Sequence, residues 1–501
     1  MSMIGFNHKV GCGRRALALT LAMVLTQIAF NGQCASSAPA STRIDRKHSK
    51  GTRQIANIRE TGGMPRVCPT DAQAHLLPAH ATGLSSDRRR VIDYPLGTEQ
   101  ILGDENWVSM GGLSGVDGAV FAIAIDTNAG RVYVGGEFIV AGDCVANYVA
   151  QWNGNVWTNL GSGIEGTVWK LAVDGVGNLY AGGEFTNAGG VCANNIAKWN
   201  GSSWTKLGSG IDSPVHALAV DVSGNVYAGG YFTEAGGVSA NGIAKWNGSV
   251  WTNLGSGMNG DGVWELVLDG TGNLYAGGWF TQAGGVSANY IAKWNGSVWT
   301  NLGSGMNYGV WELALDGAGK LYAGGWFTNA GGVSANSIAK WNGSVWTNLG
   351  SGINVTPDGL YKIEALAVDG VGNLYVGGLF TNAGGVNVNN IAKWNGSVWA
   401  KLGSGINDEG VYALAVAGAG NLYAGGYFTQ AGGVIANSIA KWNGAVWTNL
   451  GSGLGIYRNI DELAVDGAGN LYAGGEFTQA GGKRANYIAK WNGSVWTNLG
   501  S

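Results

Sequence analysis

At 501 residues the chain is longer than one hydrophobic core usually serves, so several domains or a repeating layout is expected. Glycine supplies 90 residues and tryptophan 22, while charged residues make up 12%. Without a Gly-X-Y period, and with many β-branched and aromatic residues, neither collagen nor a disordered low-complexity chain fits this composition. The net charge of -3 provides no basic field for a phosphate backbone, so nucleic acid is not an expected partner.

The chain opens with Lys9, Arg14 and Arg15, an apolar run over residues 16–30, and small residues ending in Ala38-Pro39-Ala40. This order reads as a secretory signal over residues 1–40, cleaved after Ala35 or Ala40, and predicts a secreted or envelope-associated protein. The run falls short of the roughly 20 apolar residues of a spanning helix, so no transmembrane anchor is expected after cleavage. Residues 41–103 read as a flexible linker: five of the seven prolines lie within the first 95 residues, Arg-rich patches such as Arg88-Arg89-Arg90 occur, and no apolar periodicity appears. Five cysteines are too few for a disulfide framework. Cys144 and Cys192 hold neighbouring, slightly offset places in successive repeats, and the sequence leaves a bridge between them open.

From residue 104 onward the chain repeats. Trp-Asn-Gly begins at Trp152, Trp199, Trp246, Trp294, Trp341, Trp394, Trp442 and Trp491, at spacings of 47, 47, 48, 47, 53, 48 and 49 residues. Eight units of this period mean a propeller or a solenoid, and the content of a unit decides between them. In one unit, residues 263–269, 273–278, 290–294 and 298–303 each read as a short strand. Four short strands per unit make a propeller blade, so the predicted fold is an all-β, eight-bladed β-propeller over residues 104–501. The joints agree. Asn295-Gly296 suits a type I′ hairpin between strands three and four, and Asp269 can close an Asx-turn between strands one and two. The Asn-Gly-Ser triplets also match N-glycosylation acceptors, but the hairpin already explains them. Gly277-Gly278 marks a close backbone approach or a bulge, and Trp294 and Trp299 are expected in the core.

The wording Leu274-Tyr275-Ala276-Gly277-Gly278-Trp279-Phe280-Thr281, then Ala283-Gly284-Gly285, then Ile291-Ala292-Lys293-Trp294-Asn295-Gly296 resembles the Kelch blade and the galactose oxidase central domain. More specifically, it is similar to repeats of the fungal cortical cell-polarity marker family and of secreted bacterial repeat proteins. The resemblance implies the propeller fold and leaves function open, because propellers host unrelated activities. Trp107-Val108-Ser109 resembles a fourth strand, which leaves one such segment surplus. Either it completes the last blade, or the last blade is self-contained. A closed ring leaves no long exposed sheet edge, and a monomer is expected.

If the four strands alternate in direction, the near-invariant Asp-Gly and Asn-Gly turns share one face of the disc, and the variable connections share the other. Two variable positions should ring the channel on that second face. At the start of the innermost strand stand Phe121, Trp169, His216, Trp264, Trp311, Glu364, Tyr412 and Asp461. At the end of the second strand stand Glu137, Glu184, Tyr231, Trp279, Trp326, Leu379, Tyr427 and Glu476. Aromatics with nearby carboxylates suit sugar faces and hydroxyls, or a protein hot spot. The competing reading is that these rings only fill the wedge near the axis. The expected function is therefore non-catalytic binding or adhesion to surface carbohydrate or protein, with a structural envelope or matrix role as the alternative and polysaccharide processing as the third reading. His216 is the one histidine of the repeats, so no histidine-rich metal centre is expected there, and no cofactor is implied. Glu137 and Glu184 could pair for glycoside hydrolysis, but equivalent places in successive blades point to repetition first.

Overall fold

A computed structural model describes residues 115–500 apart from residues 261, 355–361, 409, 418–419 and 456–458. The signal segment, the linker and Trp107 lie outside the described residues. Eight antiparallel sheets follow one another in chain order and form the blades of a ring; seven have four strands, and the second adds the two-residue strand Val191–Cys192 to its four. Blade 1 comprises Ala119–Asp126, Arg131–Glu137, Val149–Trp152 and Trp157–Asn159; blade 8 comprises Ile460–Val465, Leu471–Gly475, Ile488–Trp491 and Trp496–Asn498. Blade 8 thus takes all four strands from one contiguous stretch, which settles the surplus-strand question in favour of a self-contained last blade. The innermost strand of each blade packs against those of its two neighbours, and the innermost strand of blade 8 against that of blade 1.

Each seam between blades is an apolar layer built from both. The Tyr of the second strand and the Ile of the third reach into the next blade, so that Tyr275 and Ile291 lie in one cluster with Val310, Leu313, Leu321 and Phe327. The double glycine makes this fit: a Cβ on Gly277 would stand 2.8 Å from Val310 Cγ1, and one on Gly278 would stand 2.3 Å from the Gly262 carbonyl oxygen. The tryptophan pairs are core, as expected. Trp294 and Trp299 face each other across the third and fourth strands at 5.5 Å with 55° between ring planes, and both are buried. In every blade the fourth-strand tryptophan donates its indole N–H across the seam to a leucine carbonyl of the preceding blade, for example Trp299 to Leu254 at 2.8 Å and Trp251 to Leu207 at 2.7 Å.

The constant face is held by side chains. Asp269 Oδ1 accepts the amides of Thr271 and Asn273, both at 2.9 Å, and its Oδ2 accepts Asn273 Nδ2 at 2.7 Å. Burial pulls the Asp269 pKa upward, but hydrogen bonds from Asn273 and Thr271 outweigh it and leave the carboxyl below its ordinary value. Burial, and then the Asp269 charge, push Tyr275 up to about 12. The Asn295 side chain similarly accepts the amides of Ser297 and Val298, each at 3.0 Å.

One recurrent element goes beyond the four strands. Between strands two and three most blades carry a separate two-stranded hairpin, such as Gln282–Ala283 with Val286–Ser287; in blade 2 it continues the second strand. Gly284 and Gly285 form its turn at φ 59° and 84°, the left-handed pair that a type I′ turn requires. Its backbone is tied to the connection entering the blade, with Gly284 N donating to Gly257 O at 2.7 Å. Cys144 is disulfide-bonded, whereas Cys192 is a free, exposed thiol, so these two do not pair with each other. Among the described residues no helix is long and apolar enough to cross a membrane.

Candidate functional site

The variable residue at the start of each innermost strand sits on a β-bulge. The register with the second strand skips one residue between Val120 and Ala122, Val168 and Lys170, Val263 and Glu265, and likewise in every blade. The residues skipped are those of the first variable series, from Phe121 through Asp461. A bulge frees a side chain from the alternation of its strand and re-aims it, which is how one position per blade comes to serve the axis instead of a seam.

In blades 1 to 5 the re-aimed residues form a continuous arc of rings. Phe121 stacks on Trp169 at 5.2 Å, Trp169 meets His216 at 6.4 Å, His216 stacks on Trp264 at 5.8 Å, and Trp264 meets Trp311 edge-on at 4.9 Å. The second variable series joins from outside. Tyr231 stands edge-on to both His216 and Trp264, each at 5.2 Å. Trp326 meets Trp311 at 5.4 Å and Tyr308 at 6.1 Å, and Trp279 lies 4.7 Å from Tyr308. The arc rings are half-buried, while Tyr308 is 40% exposed. The indole N–H groups of Trp169, Trp264, Trp311 and Trp326 are buried without a hydrogen-bond partner among the described residues. Blades 6 to 8 differ: Glu364, Tyr412 and Asp461 hold the bulge position, and Leu379, Tyr427 and Glu476 the outer one, with Tyr412, Tyr427 and Glu476 half-buried. Glu137 and Glu184 are both exposed. Glu137 accepts the Thr167 hydroxyl at 3.0 Å and, with Asp117 and Tyr148, lines a small cavity of about 250 Å³.

Burial, and then the positive charge of Lys170, push the His216 pKa down to about 4, so its imidazole is neutral at pH 7. Lys170 follows the bulge of blade 2 and reaches past blade 3 to Glu265, which follows the bulge of blade 4, at 3.8 Å. Both side chains keep solvent access, so the pair is worth at most about 1 kcal/mol. The sequence reading missed this second ring position. Its signal was present: Lys170, Glu265, Glu312 and Glu462 each interrupt an otherwise apolar innermost strand. Among the described residues no three His, Cys, Asp or Glu side chains converge as metal ligands.

A third variable position was also missed. The residue before each third strand stands at φ 60° to 65° in seven blades, as Tyr148, Asn195, Tyr290, Ser337, Asn390, Ser438 and Tyr487. Non-glycine residues there cost backbone energy, so in these blades a side chain is kept where glycine would be easier. The sequence signal is a changing residue between a constant asparagine and an isoleucine, valine in blade 1, as in Asn289-Tyr290-Ile291 and Asn336-Ser337-Ile338.

Comparison with known proteins adds the following. No curated protein matches the chain in sequence. Solved structures of similar shape include the WD40 β-propeller domain of Doa1, 13% identical over 73% of this chain and 93% of that one at a TM-score of 0.39. Virginiamycin B lyase from Staphylococcus aureus is 12% identical over 62% of this chain and 93% of its own, at 0.40. YCF48 bound to D1 peptide is 12% identical over 62% and 90%, at 0.38. Residues 319–342, which run from the second strand of blade 5 through its third, match a family model described as a domain of unknown function, DUF5122, beta-propeller, and the chain is a β-propeller repeat protein.

Proposed function

We propose that this chain is a secreted, non-catalytic recognition propeller that binds carbohydrate or protein of a cell surface or matrix through its variable face. The observation that carries this reading is the arc from Phe121 to Trp326. Rings from successive blades meet in series on one face, where the repeat varies, whereas the opposite turns repeat almost unchanged. Aromatic faces flanked by carboxylates suit the apolar faces and hydroxyls of sugars, or the anchors of a protein partner. Export is supported by the N-terminal order of basic, apolar and small residues, and by the disulfide at Cys144.

A second reading, a structural envelope or matrix component, is favoured by the way the rings pack on one another and fill the axial end of the seams. The test is a glycan-array and cell-surface pull-down screen with the full chain, beside a variant in which Trp264, Trp279, Trp311 and Trp326 are all alanine. Saturable binding that the variant loses while keeping its circular dichroism supports recognition. Absence of saturable binding, with retention in a wall or particle fraction, supports the structural reading.

A further inference from the structure

Among the large apolar side chains exposed at the surface of the described residues, Tyr308 is the one aromatic. It stands in the short connection Met306-Asn307-Tyr308-Gly309-Val310 that enters blade 5, at a place where blade 1 has Gly118, blade 2 Gly166, blade 3 Ser213 and blade 4 Gly260. The connection itself therefore does not require a ring, yet the loop is built to hold one. Asn307 Oδ1 accepts the amides of Thr328 at 2.8 Å and Asn329 at 2.9 Å, and Gly309 O accepts the Trp326 amide at 3.2 Å, so the backbone on both sides of Tyr308 is tied to the exit of the second strand. A Cβ on Gly309 would stand 2.8 Å from Trp279 Cε3, so glycine at this point lets Trp279 of the preceding blade lie against the loop.

Three rings brace Tyr308. Trp279 stands edge-on to it at 4.7 Å, while Tyr290 and Trp326 lie near-parallel to it, at 6.3 Å with 22° between planes and at 6.1 Å with 30°. Trp279 is also edge-on to Tyr290, at 5.6 Å. Trp279 and Tyr290 belong to blade 4, Tyr308 and Trp326 to blade 5, so the cluster spans one junction of the ring. A ring whose orientation is fixed beforehand loses little freedom on meeting a ligand. The surroundings indicate which ligand. Besides Tyr308, the exposed large apolar side chain that blades 4 and 5 present on the variable face is Val286. The exposed residues next to these rings in the chain are polar: Thr281 and Gln282 after Trp279, Asn307 before Tyr308, and Thr328 after Trp326. A protein anchor works inside a surround of contacts that keeps water out, whereas here one aromatic patch sits among hydrogen-bonding groups. Among the described residues the Tyr308 hydroxyl has no hydrogen-bond partner.

We infer that Tyr308, with Tyr290 and Trp326, is the anchor subsite for one pyranose ring of a glycan. The apolar C–H face of the sugar lies on the aromatic surface, and its hydroxyls meet the Tyr308 hydroxyl and the side chains of Gln282, Asn307 and Thr328. The inference rests on the carbohydrate form of the reading above. It adds that the glycan is held chiefly at the junction of blades 4 and 5. Trp311, at 5.4 Å from Trp326 and 6.4 Å from Trp279, backs this platform from the axial side, so the half-buried arc supports the contact and Tyr308 makes it.

The experiment titrates neutral tetrasaccharides of glucose, mannose and galactose into the full chain by calorimetry, beside its Tyr308→Ala and Tyr308→Phe variants. We expect a tetrasaccharide to bind and Tyr308→Ala to weaken it by roughly tenfold. Tyr308→Phe, which keeps the ring and removes the hydroxyl, should weaken it by less, and thermal unfolding should be unchanged in both. Should Tyr308→Ala fold poorly, Tyr308→Ser, the residue type of blade 3 at this place, is used with the same expected loss. Unaltered binding in Tyr308→Ala overturns the anchor, and an equal loss in Tyr308→Phe overturns the stacking contact. The four-tryptophan variant separates the two claims. If it loses binding that Tyr308→Ala keeps, the aromatic-face reading stands and the anchor falls; if no tetrasaccharide binds the full chain, the anchor and the carbohydrate form of the reading fall together.

Discussion

The indole N–H of Trp157 donates to the carbonyl oxygen of Leu499, 342 residues further along the chain. The amide of Gly115 reaches the same carbonyl at 3.2 Å, and Val116 N reaches Asn486 O at 3.0 Å. Between blades 1 and 2, where the chain is continuous, Trp204 reaches Leu160 O at 2.6 Å, Gly163 N reaches Leu160 O at 3.0 Å, and Ile164 N reaches Asn147 O at 2.9 Å. The closing seam therefore repeats the bonds of an ordinary seam without the covalent link.

Replacing a seam tryptophan by phenylalanine removes that bond and leaves the leucine carbonyl with the glycine amide alone, Gly115 for Leu499 and Gly257 for Leu254. Trp157→Phe and Trp299→Phe should each lower stability by about 1–3 kcal/mol in chemical denaturation. Hydrogen exchange distinguishes them. Loss at the closing seam should speed exchange at the Gly115 and Val116 amides, while loss at an internal seam should leave those two unchanged.

Gly277→Ala should destabilise by about 1–3 kcal/mol, because its Cβ would collide with Val310 across the seam. A Gly277→Ala/Val310→Ala pair should recover part of that loss. Additive losses in a denaturation cycle would mean that the glycine serves another purpose.

His216 supplies a pH dependence. With a folded pKa of about 4 against about 6.5 unfolded, the unfolded chain binds more protons between those values, so stability rises with pH across that window and falls as the solution is acidified through it. The full effect is on the order of 3 kcal/mol. His216→Phe, which places the residue of blade 1 in blade 3, should flatten the denaturation midpoint between pH 7 and pH 4.5, estimates set by those two pKa values. Lys170→Met should raise the His216 pKa measured by NMR, though only partway, since burial is the larger cause.

Asp369 anchors its turn while almost fully buried, accepting Asn373 N at 2.8 Å, Asn373 Nδ2 at 2.7 Å and the Tyr375 hydroxyl at 3.3 Å. Burial raises its pKa, but the bonds from Asn373, from Val371 and from Tyr375 outweigh it and hold the carboxyl below its usual value. Its contribution is thus present above the unfolded carboxyl pKa and lost as pH falls through the folded one. Asp369→Ala should cost about 2 kcal/mol at pH 7. It should also lower the Tyr375 pKa, now about 12, by removing the lesser of its two main causes, a change that absorbance titration reads directly.

The blades were legible because each turn announces itself locally: Asn295-Gly296 and Asp269 act within a few residues of their own position. The series from Phe121 to Asp461 was legible as a changing place at the start of an otherwise repeated strand. That it lies on a bulge was not, since a bulge is a mismatch between two strands and shows only when both are seen. The hairpin at Gln282–Ser287 was overlooked because two-residue strands leave no periodicity.

Because every blade is one uninterrupted stretch and every seam is made alike, the blade behaves as an interchangeable part. A change confined to one blade, such as glycine for tyrosine before its third strand, reshapes a single junction of the rim and leaves the other seven as they were. Selection can then act on one station of the ring at a time.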